Sequence, residues 1–145
     1  MSPESILQLS LGVPEIDKEH LELIILAEEL ETVFVVEDRK RLLDRIFVVY
    51  QRHCLIEEEF MRKIDYPNMK NHITAHNKEL TLLAHATGEE PVEKVTAVLY
   101  HTINDHVKTY DLPMAYYAHS RMTPEEKAPK SLLKKVRNSV FGELN

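Results

Sequence analysis

Residues His53–His76 read HCLIEEEFMRKIDYPNMKNHITAH, and their spacing decides the fold. His53 and Glu57 are four apart, as are His72 and His76 beyond a Tyr66-Pro67-Asn68 break. A helix turns about 100° per residue, so a spacing of four returns almost to the same face. Two neighbouring helices made from this stretch therefore present three imidazoles and a carboxylate to one point.

The apolar periodicity extends outward from there. Upstream, Asp17 fits a helix N-cap before KEHLELIILAEELETVFVV, in which His20, Leu23, Ile24, Ala27 and Leu30 share one face. Asp38 fits the cap of a second helix with the face Leu42, Ile46, Val49, His53, Ile56, Phe60 and Ile64. The third helix carries Met69, His72, Ile73, His76, Leu80 and Leu83 on its face, and Gly88 suits its stop. Pro91 suits the first turn of a fourth, with Val92, Val95, Leu99, Thr102, Ile103 and His106 inward, and Pro113 stops or kinks it. No segment alternates with a strand period. Short connections between such helices predict an all-α, antiparallel up-down four-helix bundle. Residues 1–16 read as an N-terminal arm, 17–118 as the bundle, and 119–145 as an extension holding an amphipathic C-terminal helix.

The totals exclude several classes. A length of 145 residues suits one domain, and no apolar run is long enough to span a bilayer. The start, MSPESILQLS, lacks the basic and apolar regions of a signal peptide, so the cytoplasm is the expected compartment. A single cysteine, Cys54, leaves no intramolecular disulfide framework. A net charge of −6 argues against nucleic-acid binding through a basic surface. Three glycines make a glycine-rich phosphate loop an unpromising reading. Eight histidines, however, are many for this length.

One histidine on an apolar face is ordinarily a core residue with satisfied ring nitrogens. Here His20, His53, His72, His76 and His106 all fall in the apolar stripes, Glu57 lies beside one, and Asp111 closes the fourth helix. No Lys or Arg shares those stripes, and burying carboxylates without a counter-charge costs several kcal/mol or more. A metal supplies the missing positive charge. His106 and Asp111 are five apart, about 140° off a common face, so they converge only if the helix widens into a π-type turn or ends there. The remaining histidines, His85, His101 and His119, point elsewhere in this reading. Imidazole-rich sites suit Zn, Cu, Fe or Ni, but zinc uses about four ligands and this set offers seven. Five neutral imidazoles and two bridging carboxylates describe a dinuclear site.

This ordered set resembles the hemerythrin family in its bacterial form. The residues that carry the resemblance are Gly12-Val13, Ile16 to His20, His53 to Glu57 with Glu58, Phe60 and Met61, Tyr66-Pro67, His72 to His76, and His106 to Asp111. It covers roughly residues 9–118. The resemblance implies two iron ions. His72, His76 and His106 would hold one, His20 and His53 the other, with Glu57, Asp111 and a solvent-derived oxygen bridging them. Two octahedral irons then leave a single open position, on the iron with two histidines, where dioxygen binds in the family. The implied function is reversible dioxygen binding for storage, delivery or sensing.

Three positions depart from the family. Its N-terminal Trp is absent, with Ser5 near that place, and Cys54 and Thr102 replace aromatic residues that border the oxygen pocket in relatives. Leu23, Ile103 and Val107 keep the apolar character expected there. If Cys54 and Thr102 face that pocket, it is roomier and more polar than usual, and oxidation is faster. The altered pocket also keeps a diiron enzyme, acting on peroxide or nitric oxide, as the alternative. A third reading is a sensor that signals through a protein partner held by the C-terminal helix, whose Leu132, Leu133, Val136 and Val140 want a partner surface; the nearest such surface is the bundle itself.

Overall fold

A computed structural model describes residues 10–121. The expected C-terminal helix within 123–141, and Ser5, lie outside the described residues. Helix α1 spans Pro14–Glu31, α2 Val36–Lys63, α3 Met69–Ala84 and α4 Val92–His106. A π-helical segment, Val107–Asp111, follows α4 directly, and α5, Leu112–Arg121, continues from it. There is no strand among the described residues. α1 packs on α2, α2 on α3, and α4 returns to α1, so the chain forms an all-α bundle. Leu23, Ile24, Leu30, Ile46, Met61 and Met114 are almost wholly buried in its core. No helix among the described residues is long and apolar enough to cross a membrane.

Several helix ends differ from expectation. α1 begins at Pro14, inside the expected arm, and Val13 rather than Asp17 is its N-cap. Pro14 suits the first turn because its missing N–H has no helical partner there. The buried Asp17 carboxylate turns back instead, accepting the Leu11 N–H at 2.7 Å and the Ser10 hydroxyl at 3.2 Å. α1 stops at Glu31, short of the expected run through Val36. The Thr32-Val33-Phe34-Val35 stretch is rich in β-branched residues that lose rotamer freedom in a helix. α2 starts at Val36, so Asp38 lies in its first turn, paired with Arg41 at 2.8 Å, and does not cap it.

The α2–α3 corner sets the histidines of both helices. α2 closes with the Tyr66 N–H on the Met61 carbonyl (2.9 Å) and the Asp65 N–H on Arg62 (3.2 Å). Asp65 takes the left-handed conformation that this closure requires, φ 52°. α3 ends at Ala84, before Gly88. Gly88 has φ 83°, and a Cβ there would meet Lys40 Cγ at 3.0 Å, so it serves the α3–α4 loop rather than the helix stop. Pro91 is the N-cap of α4, not a residue of its first turn.

Pro113 neither stops nor ends the fourth rod, which runs on to Arg121. The Leu112 N–H reaches back five residues to the Val107 carbonyl, and this wide turn absorbs the register change that a proline without an N–H brings. Of the two ways for His106 and Asp111 to converge, the chain adopts the π turn.

Candidate metal centre

Each rod of the bundle delivers part of one buried cluster. α1 supplies His20, α2 His53 and Glu57, α3 His72 and His76, α4 His106, and the π segment Asp111. None of the seven is more than 3% exposed. The spacing of four on α2 and on α3 stacks each pair on one face, as the sequence predicts.

All five imidazoles turn Nε2 inward, and the two carboxylates divide between them. Asp111 Oδ1 lies 3.0 Å from His72 Nε2 and 2.9 Å from His106 Nε2, while Oδ2 lies 3.0 Å from His20 Nε2. Glu57 Oε2 lies 2.9 Å from His76 and 3.2 Å from His72, while Oε1 lies 3.1 Å from His53 and 3.6 Å from His20. Two ligand groups result: Glu57 with His72, His76 and His106, and Glu57 with His20, His53 and Asp111. Within each, the donor atoms lie within 4.8 Å of one another.

The cluster fits a bound cation. His20 Nε2, Glu57 Oε1 and both Asp111 oxygens are buried without a hydrogen-bond partner, so their close approaches are not aligned hydrogen bonds. His72 Nε2 and His106 Nε2 face each other at 3.0 Å. Lone pairs outnumber protons at this point, and a metal ion is the partner that such convergence lacks. Without metal, protons take its place. Burial alone would lower His20 and His106, but Asp111 and Glu57 outweigh it and push them up to about 10 and about 12. His72 is raised for the same reason. Burial would raise Glu57, but the imidazoles of His53, His106 and His20 around it hold it well below the usual carboxylate range. Asp111 is lowered too: burial and Glu57 push it up, and His106 and His20 overcome both.

Outer partners hold some of these rings from behind. His106 Nδ1 donates to Glu79, with contacts of 2.8 and 2.9 Å to its two oxygens, and the Tyr50 hydroxyl donates to the same carboxylate. His76 Nδ1 lies 3.4 Å from Glu58. The Tyr110 ring packs beside His72 and His106, at 5.5 and 5.3 Å between centroids. Glu79, Tyr50 and Tyr110 are absent from the residues singled out in the sequence. A helical signal for them exists: Glu79 is three after His76, Tyr50 three before His53, and Tyr110 four after His106.

The pocket residues divide. Leu23, Ile103 and Val107 line a void beside His20, His53 and His106, with Tyr50 as a further wall. This void has no room for a water-sized sphere. Cys54 and Thr102 are not in its lining. Cys54 is 2% exposed, and burial pushes its thiol up, away from thiolate chemistry. Thr102 lines a separate, larger cavity between α3 and α4. The other histidines stand apart from the cluster. His85 Nδ1 meets the Thr81 carbonyl at 2.6 Å, His101 pairs with Asp105 at 2.9 Å, and His119 meets the Leu11 carbonyl at 3.2 Å.

Comparisons of the chain with protein-family descriptions, with curated proteins and with solved structures return no match. The geometry itself is that of a buried His/Glu/Asp cluster able to hold metal, compatible with a hemerythrin-like site.

Proposed function

We propose that the protein is a non-heme diiron protein that binds dioxygen reversibly. The observation that carries this reading is the division of Glu57 and Asp111. Each directs one oxygen to the His72 side and the other to the His20 side. A mononuclear site has no use for that arrangement. Iron is chosen over other imidazole-preferring metals by the hemerythrin resemblance of the ordered ligand set.

The two sides are ligated unequally. In the arrangement that the resemblance implies, His72, His76 and His106 would hold one metal ion and His20 with His53 the other, which would leave the second room for an exchangeable ligand. The chemistry expected of a ferrous pair held this way is a reversible two-electron exchange with dioxygen. The chain's own residues do the rest. Glu57 and Asp111 would neutralise two of the four positive charges of a ferrous pair inside a low-dielectric core. Leu23, Ile103 and Val107 keep water from the two-His side. Glu79 and Glu58 orient His106 and His76 from behind.

The test is anaerobic loading with ferrous iron, addition of dioxygen, and its removal under vacuum. A visible absorption band that appears and then disappears over repeated cycles is expected, at about two irons per chain by elemental analysis. Irreversible oxidation with turnover of added peroxide or nitric oxide would move the assignment to an enzyme. A chain that takes up no iron would end both readings.

A further inference from the structure

The bundle is not closed equally on all sides. α1 packs closely on α2 and on α4, and α2 on α3, but α3 and α4 form no comparably close seam. A cavity of about 190 Å³ lies along this gap. Ile46, Leu83, Val95 and Leu99 give it aliphatic walls. Leu82 and Val98 also line it and are 55% and 50% exposed, so the cavity reaches the surface between them.

The carboxylates in the lining are already engaged. The Tyr50 hydroxyl and His106 Nδ1 both donate to Glu79. Glu90 turns its carboxylate onto the Thr87 and Gly88 amides, and Lys94 is exposed. No inward charge is left to select an ion. A dry aliphatic cavity of about 150 Å³ is known to accept benzene. Exposed large apolar side chains around a concave opening are the usual mark of a ligand site.

We propose that the α3–α4 cavity binds a small, neutral, apolar organic molecule of single-ring size. Leu23, Tyr50 and Ile103 line both this cavity and the void beside His20 and His53. A molecule in the cavity is thus one layer of side chains from the candidate metal centre. The inference stands independently of which metal is held, or whether one is.

Toluene titrated into the full-length protein tests it, with methyl chemical shifts followed by NMR in the metal-free and the metal-loaded diamagnetic zinc forms. Saturable single-site shifts centred on Leu83, Val95 and Leu99 are expected in both forms. Val98→Trp and Leu82→Trp, placed at exposed positions of the mouth so that the fold tolerates them, should each weaken binding at least about ten-fold. Leu55→Trp, at a 60% exposed position of α2 outside the lining, should leave it unchanged. Absence of saturable shifts in the wild type, saturable shifts at other residues, or equal affinity in both mouth variants overturns the proposal. Because the readout needs no iron and no dioxygen, its failure is distinct from failure of the oxygen-binding reading.

Discussion

The three-histidine side of the cluster and the two-histidine side are built differently. On the first, His76 and His106 lean on Glu58 and Glu79, Tyr50 holds Glu79, and the Tyr110 ring flanks His72 and His106. On the second, the outer nitrogens of His20 and His53 are buried with no hydrogen-bond partner, and the neighbours are Leu23, Ile103 and Val107. A carboxylate behind an imidazole fixes its tautomer and makes it a stronger donor. One side is thus equipped to hold an ion firmly, and the other would leave an ion less supported, beside an apolar void. That contrast is the physical basis for placing ligand exchange on the two-histidine side. His72 is the exception, since its Nδ1 also lacks a partner.

The largest expected effect comes from erasing the contrast altogether. Glu57 contributes to both ligand groups, so Glu57→Ala should empty both, with metal per chain falling from about two to below about one half by elemental analysis. His76→Ala, which removes a ligand of one side alone, should lose that side first. Retention of both metals in Glu57→Ala would overturn the shared-carboxylate reading.

A smaller effect should fall on one side only. Glu79→Gln keeps the shape but removes the charge behind His106, and such outer-partner changes cost about 10–100-fold in metal affinity. Competition with a chelator should show that loss for the first metal released and little change for the other. An equal loss at both would mean that the two sides are not separately supported.

Acid and base should act in opposite directions on the metal-free and loaded forms. His20 and His106 sit near 10 and 12 in the folded metal-free chain, above the unfolded value of about 6.5. Their contribution to stability is therefore full below about pH 6.5 and is lost as pH rises through 10 and then 12. Glu57 and Asp111 are lowered, so theirs is present above the usual carboxylate range and is lost only as pH falls through their depressed values. The metal-free protein should melt progressively lower from pH 6.5 to 10, whereas metal uptake, which needs neutral imidazoles, should strengthen over the same range. Parallel slopes in a calorimetric pH series would contradict this.

Metal content should barely move when the dividing wall is thinned. Leu23→Ala costs about 2–5 kcal/mol of stability as a buried truncation, and it joins the void to the α3–α4 cavity. Stopped-flow mixing should show faster dioxygen association at unchanged iron content; an unchanged rate would mean access by another route. His85→Ala should do least, since its ring turns onto the Thr81 carbonyl and takes no part in either ligand group.

Much of this site was legible because it is periodic. His53 with Glu57 and His72 with His76 are each one helical turn apart, so the 3.6-residue repeat alone puts each pair on one face. The five-residue step from His106 to Asp111 also announced its own remedy, although the choice between a wide turn and a helix end was not readable. Helix ends were read less well. Asp17 and Asp38 have the chemistry of caps, but the first turns form earlier, at Pro14 and Val36; Asp17 is engaged by Leu11 and Ser10 outside its helix, and Asp38 by Arg41 within its own.

What the sequence by itself determined is the helical class and the inward face that carries each of the clustered His, Glu and Asp side chains, since both follow from periodicity within single helices. What only the tertiary structure decided is everything that depends on how the helices cross. Glu79 meets His106 from 27 residues away and Tyr50 from 29. The same is true of how the oxygens of Glu57 and Asp111 divide between the His72 and His20 sides, of Cys54 and Thr102 lying outside the void, and of the open α3–α4 seam. Periodicity tells which face a residue occupies; the partner on the facing helix is set by packing between elements distant in the chain.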